Sequence, residues 1–531
     1  MSKKTLFCDN WEFSKQPFGT EYSESFKWKA VDIPHDYLIE NTKNLYETST
    51  GWYRKSFDYH KKGNTVVSIR FEGVYMDSTV YVNGALAGEW KYGYSTFEFE
   101  ITELLNDGEN LVEVRVNYQC PNSRWYSGAG IYRNVWLKEM PAAHIVPDGI
   151  YISTDDDIIT VSTEVCRPEG KENRYEIRQT VTDMGGNIVA LNTAAAGAAD
   201  ISIIPSVIWK KGYRYGLAMQ KIKVENAKKW DIGTPYLYTI TTELIKNGEV
   251  TETESCKFGF RKIEFTCDKG FFLNDRHVKL RGSCEHHDLG ALGTAQNKAA
   301  LYRRPVQLRE MGINSIRTSH NMPSVELMEA ADEMGFLILS EGFDMWEQSK
   351  TEYDYARFFR EHAPADVASW VRRDRNHPSI IGWSIGNEIY DVHANERGQE
   401  INSMLAFNVR LHDSRHNGYI TSGSNYLQWE NAQKCTDLFK LAGCNYGERL
   451  YKEHHEKHPD WMIYGSETAS VVQSRGVYHF PLSHPVFGRR RRTVLLPRKQ
   501  HHGLGSTQHG GLHNPRQGRG VLRGSVYLER L

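Results

Sequence analysis

The stretch Ile380-Ile-Gly-Trp-Ser-Ile-Gly-Asn-Glu388 decides the fold class of the C-terminal half of the chain. It is a short apolar segment that ends on an amide and a carboxylate. Outward from it, Phe336-Leu-Ile-Leu-Ser-Glu341 and Tyr419-Ile-Thr-Ser422 have a similar apolar character, and helix-like sequence separates them. Short strands rich in Ile and Leu that alternate with helices predict a parallel sheet, most economically a (β/α)8 TIM barrel.

Seven strands of this kind are visible, and the eighth strand of a closed barrel is missing. The seven end at or near Gly282, His320, Glu341, Glu388, Ser422, Tyr446 and Glu467. Helices are predicted at Lys298–Met311, Val325–Met334, 398–412 and 447–457. The first two stop at Glu-Met-Gly, where Gly312 and Gly335 can adopt the left-handed conformation that caps a helix.

The N-terminal half alternates apolar and polar residues with the period of two that is typical of β-strands. Thr65–Val74 and Asn110–Val116 show this alternation, and the Asn83-Gly84 dipeptide predicts a turn between strands. A second region repeats the pattern at the size of an immunoglobulin-like domain. We therefore predict a β-sandwich at 1–143, an immunoglobulin-like β-sandwich at 144–262, an incomplete TIM barrel at 263–484 and a basic segment at 485–531.

Composition excludes several classes of partner. The 531-residue chain carries 65 Lys and Arg against 66 Asp and Glu, so its formal charge of −1 gives no overall basic field for nucleic acid. No apolar run approaches the roughly 20 residues of a spanning helix, and no apolar signal segment is visible, so we expect no membrane partner. Eight scattered cysteines without Cys-x-x-Cys spacing fit the reduced thiols of a cytoplasmic protein.

Reactive groups are expected where the predicted strands end, because barrel enzymes carry their chemistry at the C-terminal ends of strands. These ends are rich in carboxylate, imidazole and amide groups, and the sequence shows no Ser-His-Asp pattern, phosphate-binding glycine loop or metal-spaced histidine pair. Glu388 and Glu467 stand at two of the ends, 79 residues apart. Two carboxylates that face one pocket are the equipment of glycoside hydrolysis.

Several segments resemble glycoside hydrolase family 2. They are Phe272–Asp275, Lys279–Gly282, Ile316–Asn321, Arg373–Glu388 and Gly130–Leu137. The resemblance extends from residue 1 to about 484 in the family's domain order, and it implies that the first sandwich is a jelly-roll, sugar-binding-like domain. Within the family, Glu285-His-His-Asp-Leu-Gly-Ala-Leu-Gly293 is most similar to the bacterial β-galactosidases.

Carried over position by position, the resemblance implies that Glu388 is the general acid/base and Glu467 the nucleophile. It implies these substrate-binding residues: Asn387, which bonds the sugar 2-hydroxyl; His286 and His320, which bind sugar hydroxyls; and Tyr446, which hydrogen-bonds the nucleophile. Because the family is retaining, the two carboxyl groups should lie about 5–5.5 Å apart. The acid/base is then expected to have a raised pKa, while the nucleophile is ionised.

One departure from the family concerns metal. Some members bind Mg²⁺ through a Glu and a His a few residues beyond the acid of the third strand, and Met345 and Glu347 stand at those places here. A thioether is a poor ligand for Mg²⁺, which prefers oxygen. We therefore predict no metal at this position, and the site residues imply no cofactor.

Structural interpretations of some residues stay open beside the functional ones. We expect Glu341 to form a salt bridge with a barrel arginine such as Arg317 or Arg281 rather than to act in chemistry. Tyr446 can equally be a core-packing residue.

The histidines and one loop carry similar alternatives. His286, His287 and His320 can all be satisfied polar neighbours, and we favour a ligand role for His286 and His320 only. The Arg124-Trp125 dipeptide lies in a loop that reaches toward the sugar in the family, although packing at the edge of the sandwich explains it equally well.

The resemblance implies a retaining exo-glycosidase that hydrolyses terminal β-D-galactosyl or related β-glycosidic residues by double displacement. A β-glucuronidase or β-mannosidase of the same family is the first alternative. An inactive, truncated carbohydrate-binding protein is the second. The expected partner is a β-glycoside or oligosaccharide substrate, and a homo-oligomer is left open.

The resemblance ends at about residue 484. The segment 485–531 holds ten of the Lys and Arg residues and one acid, so that 1–484 alone carries a charge of −10. Its Arg489-Arg-Arg-Arg492 run is typical of nucleic-acid binding, but the whole segment departs from the family at once. In an adjacent reading frame, codons for Ser525–Arg530 can encode Gln-Phe-Ile-Trp-Ser-Gly, which is similar to the family's last barrel strand. We hypothesise that a frameshift near residue 485 replaced the end of the barrel and truncated the protein.

Overall fold

The computed structural model describes residues 2–169, 173–198 and 213–468. The end of the predicted barrel domain, the basic segment 485–531 and the frameshift hypothesis attached to it lie outside the described residues. Among the helices in the described ranges, none has the length and apolar composition that crossing a bilayer requires.

The first domain is a β-sandwich. Its strands are β1 (Lys3–Leu6), β2 (Trp11–Gln16), β3 (Lys29–Val31), β4 (Ser49–Tyr59), β5 (Thr65–Phe71), β6 (Val74–Tyr75), β7 (Ser78–Val82), β8 (Ala85–Trp90), β9 (Phe97–Glu100), β10 (Gly108–Tyr118), β11 (Gly130–Ile131) and β12 (Val135–Pro141). The two main sheets have the orders β1-β12-β5-β9 and β3-β2-β4-β10-β7-β8. Alternation along β10 places Val112, Val114 and Val116 in the core between the sheets.

The second domain repeats this construction with longer strands. They are β13 (His144–Asp155), β14 (Ile158–Pro168), β15 (Tyr175–Thr182), β16 (Ile188–Ala195), β17 (Gly197–Ala198), β18 (Tyr213–Lys223), β19 (Tyr238–Lys246) and β20 (Glu249–Phe258). The sheets β13-β14-β18-β17 and β16-β15-β19-β20 enclose a core that includes Val161, Ile177 and Ile240. A small sheet of β21 (Ile263–Thr266), β22 (Gly270–Leu273) and β23 (Arg276–His277) then leads into the barrel.

The third domain contains seven parallel strands in sequence order. They are β24 (Gly282–Glu285), β25 (Ser315–Thr318), β26 (Leu337–Glu341), β27 (Ile380–Asn387), β28 (Tyr419–Ser424), β29 (Leu441–Asn445) and β30 (Met462–Glu467). Within the described ranges, β24 and β30 each have one neighbouring strand. The sheet curls nonetheless, since the Cys284 thiol donates to the Ser466 carbonyl at 3.3 Å. The predicted architecture of two β-sandwiches and an incomplete parallel barrel is confirmed.

The helices cover the outside of this sheet. They are α1 (Lys298–Glu310), α2 (Val325–Met334), α3 (Ala356–Asp374), α4 (Tyr390–Ala394), α5 (Glu396–His412), α6 (Glu430–Asp437) and α7 (Tyr451–Lys457). Short 3-10 turns lie at Gly290–Leu292 and Glu448–Leu450 in this domain and at Tyr37–Glu40 and Thr102–Leu104 in the first sandwich. The 19-residue helix α3, which contains Pro364, was not among the predicted helices. Gly335 caps α2 with φ 70° and ψ 54°, as predicted.

The first sandwich packs directly on the barrel. Tyr92 donates a hydrogen bond to the Gly342 carbonyl at 2.6 Å, and Arg133 donates to the Met322 carbonyl at 2.9 Å. Arg133 is fully buried, so its bond to this carbonyl gives a charged group a partner inside the interface. The loops of the sandwich are thereby fixed against the C-terminal ends of the barrel strands.

Candidate active site

Arg317 of β25 joins two of the predicted site residues. Its Nη1 donates to Glu467 Oε1 at 2.8 Å, and its Nη2 donates to Asn387 Oδ1 at 2.8 Å. The guanidinium is fully buried, so its planar fork fixes both acceptors in direction as well as in distance. The ends of β27 and β30 are therefore held around one cation.

Glu388 faces the same pocket from the residue after β27. Asn445 Nδ2 donates to Glu388 Oε1 at 3.2 Å and to Asn387 Oδ1 at 3.1 Å. Glu388 adopts φ 46°, a left-handed conformation that glutamate rarely occupies. Its amide nevertheless donates to the Gly423 carbonyl at 2.7 Å, so the turn that aims the side chain inward is tied to the next strand. The two predicted catalytic carboxylates thus share a network through Asn387, Asn445 and Arg317.

Glu341 has the structural role that the sequence favoured. Arg317 donates to its Oε2 from both Nε, at 3.1 Å, and Nη2, at 2.7 Å, and the prediction of a barrel ion pair is confirmed. His320 Nδ1 lies 2.7 Å from Glu341 Oε1, which fixes the ring, and its Nε2 lies 3.5 Å from Glu467 Oε1. Burial holds the pKa of His320 well below its ordinary value, which favours the neutral imidazole, and its Nε2 can accept a hydrogen bond from a hydroxyl group.

His286 lies beside His320 and the indole of Trp125. The ring centroids of the two histidines are 5.5 Å apart, and that of His286 is 5.0 Å from Trp125. His287 faces the sandwich instead, where its Nε2 donates to the Ser127 carbonyl at 3.1 Å, and burial lowers its pKa to about 3. The structure therefore brings His286 and His320 to the pocket and leaves His287 in the domain interface.

Tyr446 lies against Glu467. Its amide donates to the Glu467 carbonyl at 2.6 Å, and its φ of 54° turns the chain just after β29. Burial raises the pKa of Tyr446, and the adjacent Glu467 carboxylate, which the phenol hydrogen-bonds, raises it further. The hydroxyl therefore stays protonated and acts as a donor to the carboxylate.

A cluster of Arg124, Asp344 and Lys350 borders Glu388. Arg124 comes from the first sandwich; it donates to Asp344 at 2.9 and 2.6 Å and reaches Glu388 Oε2 at 3.3 Å. Lys350 Nζ donates to Asp344 Oδ1 at 2.9 Å and to the Asn387 carbonyl at 2.7 Å. Sequence reasoning left the role of Arg124 open and missed Asp344 and Lys350. Asp344 could have been found from its position, because it lies three residues after Glu341, the end of a barrel strand.

The charges of Arg124 and Lys350 shift the pKa of Glu388 in the direction opposite to the predicted one. Burial alone raises the pKa of this carboxyl, but the charges of Arg124 and Lys350 outweigh burial and hold the pKa below its ordinary value. The raised pKa predicted for an acid catalyst is therefore wrong for Glu388. The physical reason is that a loop of the first sandwich brings Arg124 to Glu388, and the barrel sequence alone does not show this contact.

The positions that differ from the metal-binding members are engaged elsewhere. Glu347 pairs with Arg360 at 3.0 Å and with Arg397 at 2.6 Å, and hydrogen bonds from these two arginines lower its pKa to about 2. Met345 is buried. Within the described ranges no group of three or more His, Cys, Asp or Glu side chains could hold a metal ion. The absence of a metal requirement stays a prediction.

Comparisons with known proteins agree with this architecture. Three family models match the chain: "Glycosyl hydrolases family 2, sugar binding domain" at residues 18–141, "Glycosyl hydrolases family 2" at 143–261 and "Glycosyl hydrolases family 2, TIM barrel domain" at 265–468. The chain belongs to glycosyl hydrolases family 2.

Individual relatives are similar over most of the chain. The beta-galactosidase BoGH2A of Bacteroides ovatus is 34% identical over 503 residues, which cover 86% of this chain and 57% of that protein. A putative beta-glucuronidase of Formosa agariphila is 33% identical, over 79% of this chain and 40% of that protein. The crystal structure of a family 2 member from Bacteroides cellulosilyticus has a TM-score of 0.79 and 30% identity, over 88% of this chain and 61% of that one. The chain spans less than two thirds of the length of each of these relatives.

Proposed function

We propose that the protein is a retaining exo-glycosidase that removes terminal β-D-galactosyl residues. One observation carries the proposal: Glu388 and Glu467, from two strand ends, enter one network through Arg317, Asn387 and Asn445. Two carboxylates at one pocket, one as acid and one as nucleophile, are what glycoside hydrolysis by double displacement requires.

In the first step the Glu467 carboxylate attacks the anomeric carbon. The bond between that carbon and the glycosidic oxygen breaks, the electron pair goes to the oxygen, and the oxygen takes a proton from Glu388. This step uses the protonated form of Glu388, although Arg124 and Lys350 favour its carboxylate form. The products are a glycosyl ester on Glu467 and a free alcohol, and Glu388 becomes a carboxylate. Arg317 Nη1 donates to Glu467 Oε1 at 2.8 Å and holds this carboxylate in place for the attack.

In the second step Glu388 removes a proton from water as the water oxygen attacks the anomeric carbon. The ester bond breaks, its electron pair returns to Glu467, and Glu388 is protonated again for the next cycle. Two inversions give overall retention. The Tyr446 hydroxyl supports this step, because a donor bonded to the departing carboxylate stabilises its negative charge.

The remaining site residues fit sugar binding. Asn387 has its Nδ2 bonded to Asp344 Oδ1 at 2.9 Å and its Oδ1 bonded to Arg317 and Asn445, which fixes the amide for a bond to the 2-hydroxyl. His286 and His320 supply imidazole groups on the neighbouring side of the pocket.

The charges around the pocket favour a neutral sugar over a uronic acid. Arg124 and Lys350 are the cations nearest to Glu388 in the network described above, and both are already bonded to Asp344. The two cations Arg124 and Lys350 balance the two carboxylates of Asp344 and Glu388, so this cluster has no net charge. A glucuronide carboxylate that paired with either cation would compete with Asp344, whereas neutral galactosyl hydroxyls leave these ion pairs intact. The relatives named above are a beta-galactosidase and a putative beta-glucuronidase, and the charge argument, together with the sequence likeness, supports galactose as the proposed sugar.

A panel of nitrophenyl β-glycosides tests the sugar specificity. We expect the highest kcat/KM with the galactoside, and a higher value with the glucuronide or mannoside would replace the proposal by that alternative. A 2-deoxy-2-fluoro galactoside with a good leaving group tests the mechanism. Peptide mass spectrometry should locate the label on Glu467, with Glu467→Gln as the unlabelled control. Sugar binding without label or turnover would favour a non-catalytic carbohydrate-binding protein.

A further inference from the structure

An aromatic platform lies at the rim of the barrel next to Glu388. Tyr426 and Trp429, in the loop after β28, stack with ring centroids 4.4 Å apart at 19°. His393 of α4 stands edge-on against both, at 4.8 Å from Tyr426 and 5.0 Å from Trp429. The Trp429 residue is 44% exposed, so its large apolar ring faces solvent, while Tyr426 and His393 pack against it and hold it in place.

Two connections place this platform on the side of Glu388 rather than of Glu467. The helix α4 that carries His393 begins two residues after Glu388, and the Glu388 amide donates to Gly423 of β28, the strand that leads into the aromatic loop. His393 also lies near enough to Glu388 for that carboxylate to act on its pKa, although burial dominates and lowers the pKa to about 4. Glu467, by contrast, ends β30, two strands further along the sheet.

The chemistry defines what lies on that side. The general acid protonates the glycosidic oxygen, so the leaving group extends from Glu388 away from the nucleophile. A pyranose ring presents an apolar face of C–H groups, and an exposed indole can cover such a face and remove both surfaces from water. An alkyl alcohol of one or two carbons would cover little of the ring.

We propose that Trp429 and Tyr426 form a leaving-group subsite that stacks on the sugar ring to which the terminal residue is attached. The inference rests on the proposed function for the direction of the leaving group. It assigns the substrate to the class of β-linked disaccharides and oligosaccharides, in preference to glycosides of small alcohols.

Binding of uncleaved ligands tests the subsite without any turnover. The probes are thio-linked disaccharides with a terminal β-galactosyl or β-glucuronyl residue, each compared by calorimetry with the methyl thioglycoside of the same terminal sugar. In the wild-type chain the disaccharide of the recognised sugar should bind about tenfold more tightly than its methyl glycoside. Trp429→Ala should abolish that gain, and Trp429→Phe, which keeps an aromatic ring, should retain part of it.

The matched control is Phe407→Ala on α5, since Phe407 is a 66% exposed aromatic residue on the outer surface. This variant should keep the wild-type gain and the wild-type melting temperature. Equal affinity of disaccharide and methyl glycoside in the wild-type chain would overturn the subsite, and so would a gain that Trp429→Ala preserves. If the gain depends on Trp429 but neither aryl glycosides nor disaccharides are hydrolysed, the subsite stands and the proposed hydrolysis fails.

Discussion

The Arg124 guanidinium of the first sandwich lies 3.3 Å from the Glu388 carboxylate at the end of a barrel strand. Both groups are largely buried, and Asp344 anchors the arginine through two hydrogen bonds. A residue from one domain therefore acts on the charge state of the proposed acid/base residue of another. The sandwich contributes a side chain to the candidate active site and is not only a neighbour of the barrel.

Replacing Arg124 by Ala should raise the pKa of Glu388. With the cation gone, burial acts with less opposition, and the protonated form persists to higher pH. A neighbouring opposite charge typically shifts a carboxyl pKa by about 1–3 units. The alkaline limb of the pH profile of kcat/KM, which reports loss of the acid's proton in the free enzyme, should move upward by about one unit. Arg124→Lys keeps the charge and should leave the limb near its wild-type position. An unmoved limb in Arg124→Ala would show that Arg124 does not set this pKa.

Tyr446→Phe should lower kcat without unfolding the chain. The amide of residue 446 still bonds the Glu467 carbonyl, so the backbone turn remains, and only the hydroxyl donor to the nucleophile is lost. A hydrogen bond to a charged group is worth about 1.5–3 kcal/mol, which corresponds to a roughly tenfold to hundredfold slower step. Stopped-flow measurement of an aryl galactoside should show a burst, if hydrolysis of the glycosyl ester becomes limiting. Wild-type kinetics in the variant would reduce Tyr446 to a packing residue, the alternative that its sequence allowed.

Chelation should leave activity unchanged. Glu347, which stands at a metal-ligand position of some relatives by resemblance, is held by Arg360 and Arg397 and is not available to a cation. Dialysis against EDTA and subsequent addition of Mg²⁺ should each change kcat/KM on an aryl galactoside by less than about twofold. Activity that EDTA removes and Mg²⁺ restores would contradict this. Glu347→Gln provides the control, since it weakens the arginine contacts without adding a ligand.

The parts of the site that lie on barrel strands could be predicted from sequence, and the parts that cross between domains could not. A short apolar strand followed by Asn387 and Glu388 predicts a parallel sheet, and it also predicts that the reactive groups lie at the end of that strand. Nothing in the barrel sequence shows that Arg124 arrives from more than 200 residues earlier, because that contact depends on how two domains pack. The lowered pKa of Glu388 follows from this contact, so the electrostatics were mispredicted although the residue itself was found in the pocket.

Asp366 gives the interface between sandwich and barrel a pH dependence. It is fully buried on α3, where Ser95 of the sandwich donates to it at 2.5 Å and Tyr355 donates to its other oxygen. Burial raises its pKa to about 7, which the two hydroxyl donors only partly oppose. The unfolded chain releases this proton near pH 4, so the folded state binds the extra proton between about pH 4 and 7.

The stabilisation from that proton is therefore complete below about pH 4 and is lost as pH rises through 7. A difference of about three pKa units corresponds to roughly 4 kcal/mol as an upper limit. Asp366→Asn removes the titration, and its melting temperature should fall less than that of the wild type between pH 5 and pH 8. Differential scanning calorimetry at these two values measures the effect, and Asp155→Asn, at an exposed acid of the second sandwich, should behave like the wild type. Parallel pH profiles for wild type and Asp366→Asn would mean that Asp366 titrates at an ordinary pKa in the folded protein.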